Sequence, residues 1–222
     1  MENQLRHTAL LFAMAFVIAV PVITIAKPSM KMSDRGTEVS TLISADGIFR
    51  IRYPRMLLVC GHEDGENPDV WSPKGCSAEL AVCDNSEHAG SVLACLAYPA
   101  DALRGSEVEA AAFSVSRIEN FNARDCVSKW ASNATRDIHR ESIAGLRFQA
   151  ASAQERVNSR ISEQSIYRIF HNGACYELDS NLTIALDSAF AVEDAPRKLS
   201  PEEMETIRHN LQLAVSGFRF LK

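Results

Sequence analysis

The sequence predicts an α+β domain with a largely antiparallel sheet that disulfides reinforce. Three observations lead to this fold class. Strand-like alternation and turn signals fill much of the chain after residue 44, a tight hairpin is centred on Asn172-Gly173, and an amphipathic helix follows Ser200. Strands, a short helix, more strands and a closing helix are typical of helices packed against an antiparallel sheet.

The N-terminal residues 1–26 are predicted to be a secretory signal peptide. A short polar start is followed by an apolar run from Ala9 to Ala26, which is the order of regions in such signals. An uncleaved membrane anchor is the alternative, because the run has about the length that spans a bilayer. Pro21 weakens the run near its end. The segment predicts an exported protein, either periplasmic or secreted.

Two further segments complete the predicted domain plan. Residues 27–43 are polar and are interpreted as a linker, and residues 44–222 have the length of one domain. The net charge is −5 and the sequence has no basic run. It therefore gives no support for binding nucleic acid or anionic lipid. Any membrane contact is expected through the N-terminal segment alone, if that segment stays uncleaved.

The first part of the predicted domain contains strands and one long loop. Apolar residues alternate with arginines from Phe49 to Tyr53 ahead of Pro54, which predicts a half-buried strand. Residues 60–78 are rich in glycine and proline and are expected to form a loop. Two strands, Glu79 to Cys83 and Ser91 to Tyr98, are predicted to follow around a polar turn.

The middle of the chain predicts a long strand and a short helix. The strand runs from Val108 to Ile118, with Phe113 and Val115 on one face and serines on the other. The helix is expected over Ala123 to Ser132, with Asn122 as its N-cap.

Asn172-Gly173 is the clearest turn signal, because a two-residue hairpin turn needs positive φ at both central positions. The flanking strands are predicted over Ile166 to His171 and Ala174 to Asp179. The resulting register pairs His171 with Ala174, Phe170 with Cys175, Ile169 with Tyr176, Arg168 with Glu177 and Tyr167 with Leu178.

The last predicted element is an amphipathic helix. Ser200 to Glu203 forms a capping box with Pro201 at the first helical position. Gly217 marks the expected end of the helix, and residues 218–221 are expected to pack as an extended segment. The apolar stripe of the helix consists of Met204, Ile207, Leu211, Val215 and Phe218.

Four short pieces resemble the photosystem II extrinsic-protein (PsbP-like) superfamily. They are DGIFRIRYP (Asp46 to Pro54), AAAFSVSRI (Ala110 to Ile118), IAGLRF (Ile143 to Phe148) and GFRFLK (Gly217 to Lys222). The resemblance implies an α/β/α sandwich and exported or organellar binding and assembly factors without catalytic residues. The chain departs from the family in its six cysteines and in the loop of residues 60–78. The hairpin Tyr167 to Leu178 is also similar to one in uncharacterised exported bacterial proteins.

All the cysteines follow the apolar run, which favours a disulfide framework in an oxidising compartment. They are Cys60, Cys76, Cys83, Cys95, Cys126 and Cys175. Proximity along the predicted elements favours Cys60–Cys76, Cys83–Cys95 and Cys126–Cys175, while the sequence leaves other pairings open. A cysteine nucleophile is the alternative. His171 and Cys175 are predicted on opposite faces of the hairpin, so they would not form a catalytic pair.

The loop of residues 60–78 contains the remaining candidate sites. Its oxygen donors could hold a hard cation such as Ca²⁺, although a solvated acidic loop is the simpler interpretation. The candidate ligands are His62, Asp64, Glu66 and Asp69. Trp71, in a proline-rich stretch, is the candidate for contacting a ligand. No cofactor is expected.

These observations favour an exported, non-enzymatic binding or assembly factor of the cell envelope, with an unknown protein or small-molecule partner. The alternative is a metal-assisted or thiol hydrolase that uses the loop from Cys60 to Asp69.

Overall fold

Two antiparallel sheets and three helices form the part of the chain that the structure describes. The structure is a computed structural model and describes residues 38–60, 83, 90–129, 137–186 and 196–221. The strands are β1 (Val39–Ile43), β2 (Phe49–Pro54), β3 (Leu58–Cys60), β4 (Gly90–Ala97), β5 (Val108–Ile118), β6 (Asp137–Ile143), β7 (Leu146–Val157), β8 (Arg160–His171), β9 (Ala174–Ala185) and β10 (Phe218–Phe220). The helices are α1 (Ala100–Leu103), α2 (Ala123–Ser128) and α3 (Pro201–Ser216).

The smaller sheet joins the two ends of the described chain in the order β1-β2-β10. Phe49 and Ile51 of β2 are fully buried, while Arg50 and Arg52 between them are exposed, so the strand predicted from this alternation is confirmed. β1 pairs with β2 over its whole length. The interpretation of residues 27–43 as a linker is therefore wrong for Val39–Ile43, whose backbone donors and acceptors contribute to the sheet.

The larger sheet has the order β3-β4-β5-β9-β8-β7-β6. Its β8–β9 hairpin turns at Asn172 and Gly173, which have φ of 48° and 81°. All the residue pairs predicted from this turn are present. Each strand extends well beyond the predicted bounds, to twelve residues, because polar side chains continue the pairing where the apolar pattern stops.

The pairing of β4 differs from the prediction of a hairpin with Glu79 to Cys83. Within the described residues, β4 pairs with β3 on one side and with β5 on the other. Cys83 lies in a turn rather than a strand, and residues 79–82 lie outside the described part. The short β3 (Leu58–Cys60) takes the edge position beside β4. It lies outside the predicted strands.

The helix α2 begins as predicted but ends earlier. The side chain of Asn122 accepts hydrogen bonds from the backbone N–H groups of Arg124 and Asp125, so the predicted N-cap is confirmed. The helix ends at Ser128 rather than Ser132, because Lys129 has extended backbone angles. Trp130 lies outside the described residues.

The predicted capping box and end of α3 are both confirmed. Ser200 and Glu203 exchange side-chain to backbone hydrogen bonds at the start of the helix. The helix ends at Gly217, whose carbonyl accepts a hydrogen bond from the backbone N–H of Arg52 at 3.1 Å. A Cβ on Gly217 would lie 2.0 Å from the carbonyl oxygen of Arg52. Glycine thus lets the chain pass from α3 into β10 against β2.

Helices cover both faces of the larger sheet, which confirms the predicted α/β/α sandwich. The apolar stripe of α3, including Ile207 and Leu211, packs on β2, β5 and β9 in the main hydrophobic core. On the opposite face, α2 contacts β8 and β9. No helix in the described ranges has the length and apolar character needed to cross a bilayer.

Candidate functional site

The cysteines of the larger sheet all lie on one face, which we call the disulfide face. Strand register places Cys60, Cys95 and Cys175 there together, on the side opposite α3. Cys95 is bonded to Cys83, and Cys175 is bonded to Cys126 of α2, so these two predicted pairings are confirmed. Cys60 is also disulfide-bonded, and its predicted partner Cys76 lies outside the described residues.

Three cysteine sulfurs cluster near one end of the disulfide face. The Sγ atoms of Cys60, Cys83 and Cys95 all lie within 4.8 Å of one another and are buried. Such spacing would suit a metal only if the sulfurs were thiolates. Because all three are in disulfides, this cluster is a covalent support that holds the turn at Cys83 against β3 and β4.

A buried ion pair lies on the same face, between the central strands β8 and β9. Nε of Arg168 on β8 lies 2.5 Å from Oε2 of Glu177 on β9, and each residue is only 1% exposed. The guanidinium also donates to the backbone carbonyl of Lys129, the residue that follows α2. This arginine therefore links α2 to the sheet beside the Cys126–Cys175 disulfide.

Polar side chains continue from this ion pair along the face. Nε2 of Gln164 donates to Oδ2 of Asp179 at 2.7 Å, and Nδ2 of Asn181 donates to Oγ of Ser162 at 3.2 Å. The serines of β5 predicted on this face, including Ser114, are buried as well. Enclosed carboxylates with arginine and amide partners are suited to fixing strand register rather than to exchanging protons with a substrate.

A second buried polar cluster lies within the main core. Nδ2 of Asn210 on α3 donates to the hydroxyl of Tyr98 and to Sδ of Met56, each at 2.7 Å. Burial raises the pKa of Tyr98 to about 12. The cluster joins α3 to the segments that follow β2 and β4, and its tyrosine remains neutral over the physiological range.

The imidazole of His171 lies on the face opposite Cys175, as the hairpin register predicts. Its ring stacks on Phe220 with centroids 3.9 Å apart, and Tyr176 meets the same phenylalanine edge to face at 5.0 Å. Since Cys175 is bonded to Cys126, His171 contributes to the contact between the two sheets instead of activating a thiol.

The candidates predicted in the loop of residues 60–78 lie outside the described residues. This applies to the proposed cation ligands His62, Asp64, Glu66 and Asp69 and to Trp71. Their roles stay predictions.

An exposed arginine cluster covers the outer side of the smaller sheet, and we call it the arginine face. It consists of Arg50 and Arg52 on β2 and Arg219 on β10, with Arg50 and Arg219 directly opposite in register. Val39 and Ile43 of β1 are 50% and 58% exposed, and register places them on the same side.

Among the residues that the structure describes, no salt bridge joins a carboxylate to Arg50, Arg52 or Arg219. β1, β2 and β10 contain no acidic residue. The salt bridges within the described ranges involve other basic residues, such as Arg55 with Glu38 and Arg117 with Glu119. Like charges directly across two strands destabilise a sheet unless an anion lies between them. The sequence shows no basic run here, because the strands of the cluster come from opposite ends of the domain.

Comparison with known proteins gives similarity of fold. No family model and no curated protein matches the chain. Among solved structures, it is similar to LpqN, involved in cell envelope biogenesis of Mycobacterium tuberculosis, with a TM-score of 0.42, 10% identity and coverage of 82% of this chain and 90% of that chain. It is also similar to cyanobacterial PsbP (CyanoP) from Synechocystis sp. PCC 6803, with a TM-score of 0.40, 9% identity and coverage of 86% and 95%.

Proposed function

We propose that this protein is an exported, non-enzymatic binding domain of the cell envelope that holds an anionic partner on the arginine face. The observation that carries the proposal is the exposed cluster of Arg50, Arg52 and Arg219 without a carboxylate partner in the described residues. Guanidinium groups bind carboxylate and phosphate oxygens in paired hydrogen bonds. The three lie on strands, so the sheet holds their backbones in fixed positions for such a partner.

The disulfides support export. Disulfides persist in oxidising compartments and are rare in the cytosol, and the bonds Cys83–Cys95 and Cys126–Cys175 both reinforce the disulfide face. The signal-like N-terminal run predicts the same route. The thiol form of the hydrolase alternative needs a reactive thiolate near residues 60–69, whereas Cys60 is in a disulfide.

Mass spectrometry distinguishes the proposed binding function from the hydrolase alternative. Denatured protein alkylated without reductant should gain no label, and the same protein should label at every cysteine after reduction. A cysteine that labels before reduction would contradict the proposal.

The binding surface is tested with soluble polyphosphate as the probe, followed by fluorescence anisotropy. The variant Arg50→Gln/Arg52→Gln/Arg219→Gln should lose most of the affinity. A matched control removes three exposed arginines from separate elements: Arg104→Gln/Arg124→Gln/Arg147→Gln. Because both variants change the net charge equally, similar losses in the two would contradict a specific arginine face.

A further inference from the structure

We infer that the anionic partner is the surface of a lipid bilayer, whose phosphate headgroups bind the arginine face while Val39 and Ile43 enter the interface. This inference rests on the function proposed above. It adds the class of partner and the way the domain would lie on it, with the smaller sheet facing the lipid.

The composition of the face favours a bilayer over a soluble polyanion. Arginines on β2 and β10 lie beside exposed aliphatic side chains on β1, and Ile43 is directly opposite Arg50 in register. Cationic groups bind headgroups while adjacent aliphatic groups reach the acyl boundary, the combination that holds peripheral proteins at membranes. A soluble polyanion has no apolar region for the exposed isoleucine and valine to contact.

Like-charge repulsion within the face gives a second argument. Arg50 and Arg219 are cross-strand neighbours, and Arg52 lies two residues along the same strand on the same side. Positive charges at such neighbouring positions on one side of a sheet repel one another. A bilayer presents many phosphates in one plane, so each arginine can contact its own headgroup without distortion of the sheet.

The position of the face in the chain gives a third argument. β1 (Val39–Ile43) is the first described strand, and the apolar run Ala9 to Ala26 precedes it closely in sequence. An apolar segment and a basic patch act together, since stable attachment to a membrane commonly takes two signals. If the run stays uncleaved, the arginine face belongs to the part of the domain next to the anchor in sequence.

Sedimentation with vesicles tests the inference on the full chain. One set of vesicles is phosphatidylcholine alone, and the other contains equal parts of phosphatidylcholine and phosphatidylglycerol. The apolar run contributes to both sets, so the measured quantity is the extra binding to the anionic set. Loss of three arginines at a lipid surface should reduce this extra binding about a hundredfold. The control Arg104→Gln/Arg124→Gln/Arg147→Gln should retain it.

The substitution Ile43→Ser distinguishes binding to a bilayer from binding to a soluble polyanion. Ile43 is exposed, so the change should leave folding intact while reducing binding to anionic vesicles about tenfold, since the side chain no longer buries apolar area. Binding to soluble polyphosphate should stay unchanged. Circular dichroism checks that every variant remains folded.

Two results would overturn the inference. The first is equal binding to both sets of vesicles by the wild-type chain. The second is vesicle binding that Ile43→Ser leaves unaltered. If polyphosphate binding still depends on Arg50, Arg52 and Arg219, the proposed function stands and the partner is a soluble polyanion or an acidic protein. If polyphosphate binding is also independent of them, both proposals fail together.

Discussion

The buried ions of the disulfide face are expected to have a large effect on stability. Arg168 and Glu177 have almost no exposed surface, and the guanidinium also reaches the carbonyl of Lys129. Each charge depends on the other, because an ion removed from water without a counter-ion is strongly destabilising. The pair therefore helps to determine which strands and which helix meet on this face.

We expect Glu177→Gln to destabilise the protein by about 3 kcal/mol or more, because it leaves the guanidinium of Arg168 buried without its opposite charge. The matched control is Glu38→Gln, which removes the carboxylate from an exposed pair with Arg55 and should cost less than about 1 kcal/mol. Urea unfolding measures both values. Equal losses in the two variants would contradict the structural role of the buried pair.

Because Tyr98 is buried, the free energy of unfolding should depend on pH in the alkaline range. Burial raises its pKa from 10.0 to about 12, so between these values the unfolded chain has lost a proton that the folded chain keeps. The free energy of unfolding should therefore fall as the pH rises through this range, and the loss should be complete above it. Unfolding curves over this range should show a steeper decline for the wild type than for Tyr98→Phe. Identical slopes would show that Tyr98 does not carry the effect.

At the scale of elements, the chain is organised by the close approach of α3 to β2. Gly217 ends the helix at φ −79°, a conformation that any residue can adopt, yet its Cα lies against the carbonyl of Arg52. The requirement for glycine comes from space rather than from backbone angle. This approach also aligns β10 with β2, so it sets the distance between Arg219 and Arg50.

The substitution Gly217→Ala tests this close approach. A methyl group 2.0 Å from the carbonyl oxygen of Arg52 must push β10 away from β2, and we expect a loss of about 1–3 kcal/mol in the free energy of unfolding. Polyphosphate affinity should fall as well, since Arg219 moves with β10. Unchanged stability would contradict the contact, because alanine is otherwise favourable at this backbone conformation.

The elements also indicate how far local sequence can predict this protein. The turn at Asn172-Gly173, the capping box at Ser200 and the alternation in β2 depend on neighbouring residues, and they are confirmed. The pairing of β10 with β2 joins opposite ends of the domain, so no local pattern reports it. For this reason Arg50 and Arg52 were predictable as exposed residues, while their meeting with Arg219 was not.

At the scale of the whole molecule, the disulfides differ in how much chain they enclose. Cys126–Cys175 spans 49 residues and Cys83–Cys95 spans 12. Closing a longer loop removes more freedom from the unfolded chain, which corresponds to about 4 kcal/mol for the first bond and about 3 kcal/mol for the second under the chain-entropy description. The bond between α2 and β9 should therefore be the more important for stability.

We expect Cys126→Ala/Cys175→Ala to lower the free energy of unfolding by more than Cys83→Ala/Cys95→Ala does. Replacing both partners avoids a free thiol that could exchange with the remaining bonds. Thermal unfolding of the two variants under oxidising conditions gives the comparison. The opposite order would indicate that local packing near Cys83, rather than loop length, decides the contribution.

The placement of the cysteines on one face also means that the two sides of the larger sheet depend on different conditions. The side under α3 is held by apolar burial, which responds to temperature and denaturant. The other side holds α2 and the turn at Cys83 through sulfur bonds, which respond to the redox potential of the surroundings. A reducing compartment would thus loosen one layer and leave the other packed, so the three-layer form depends on an oxidising environment.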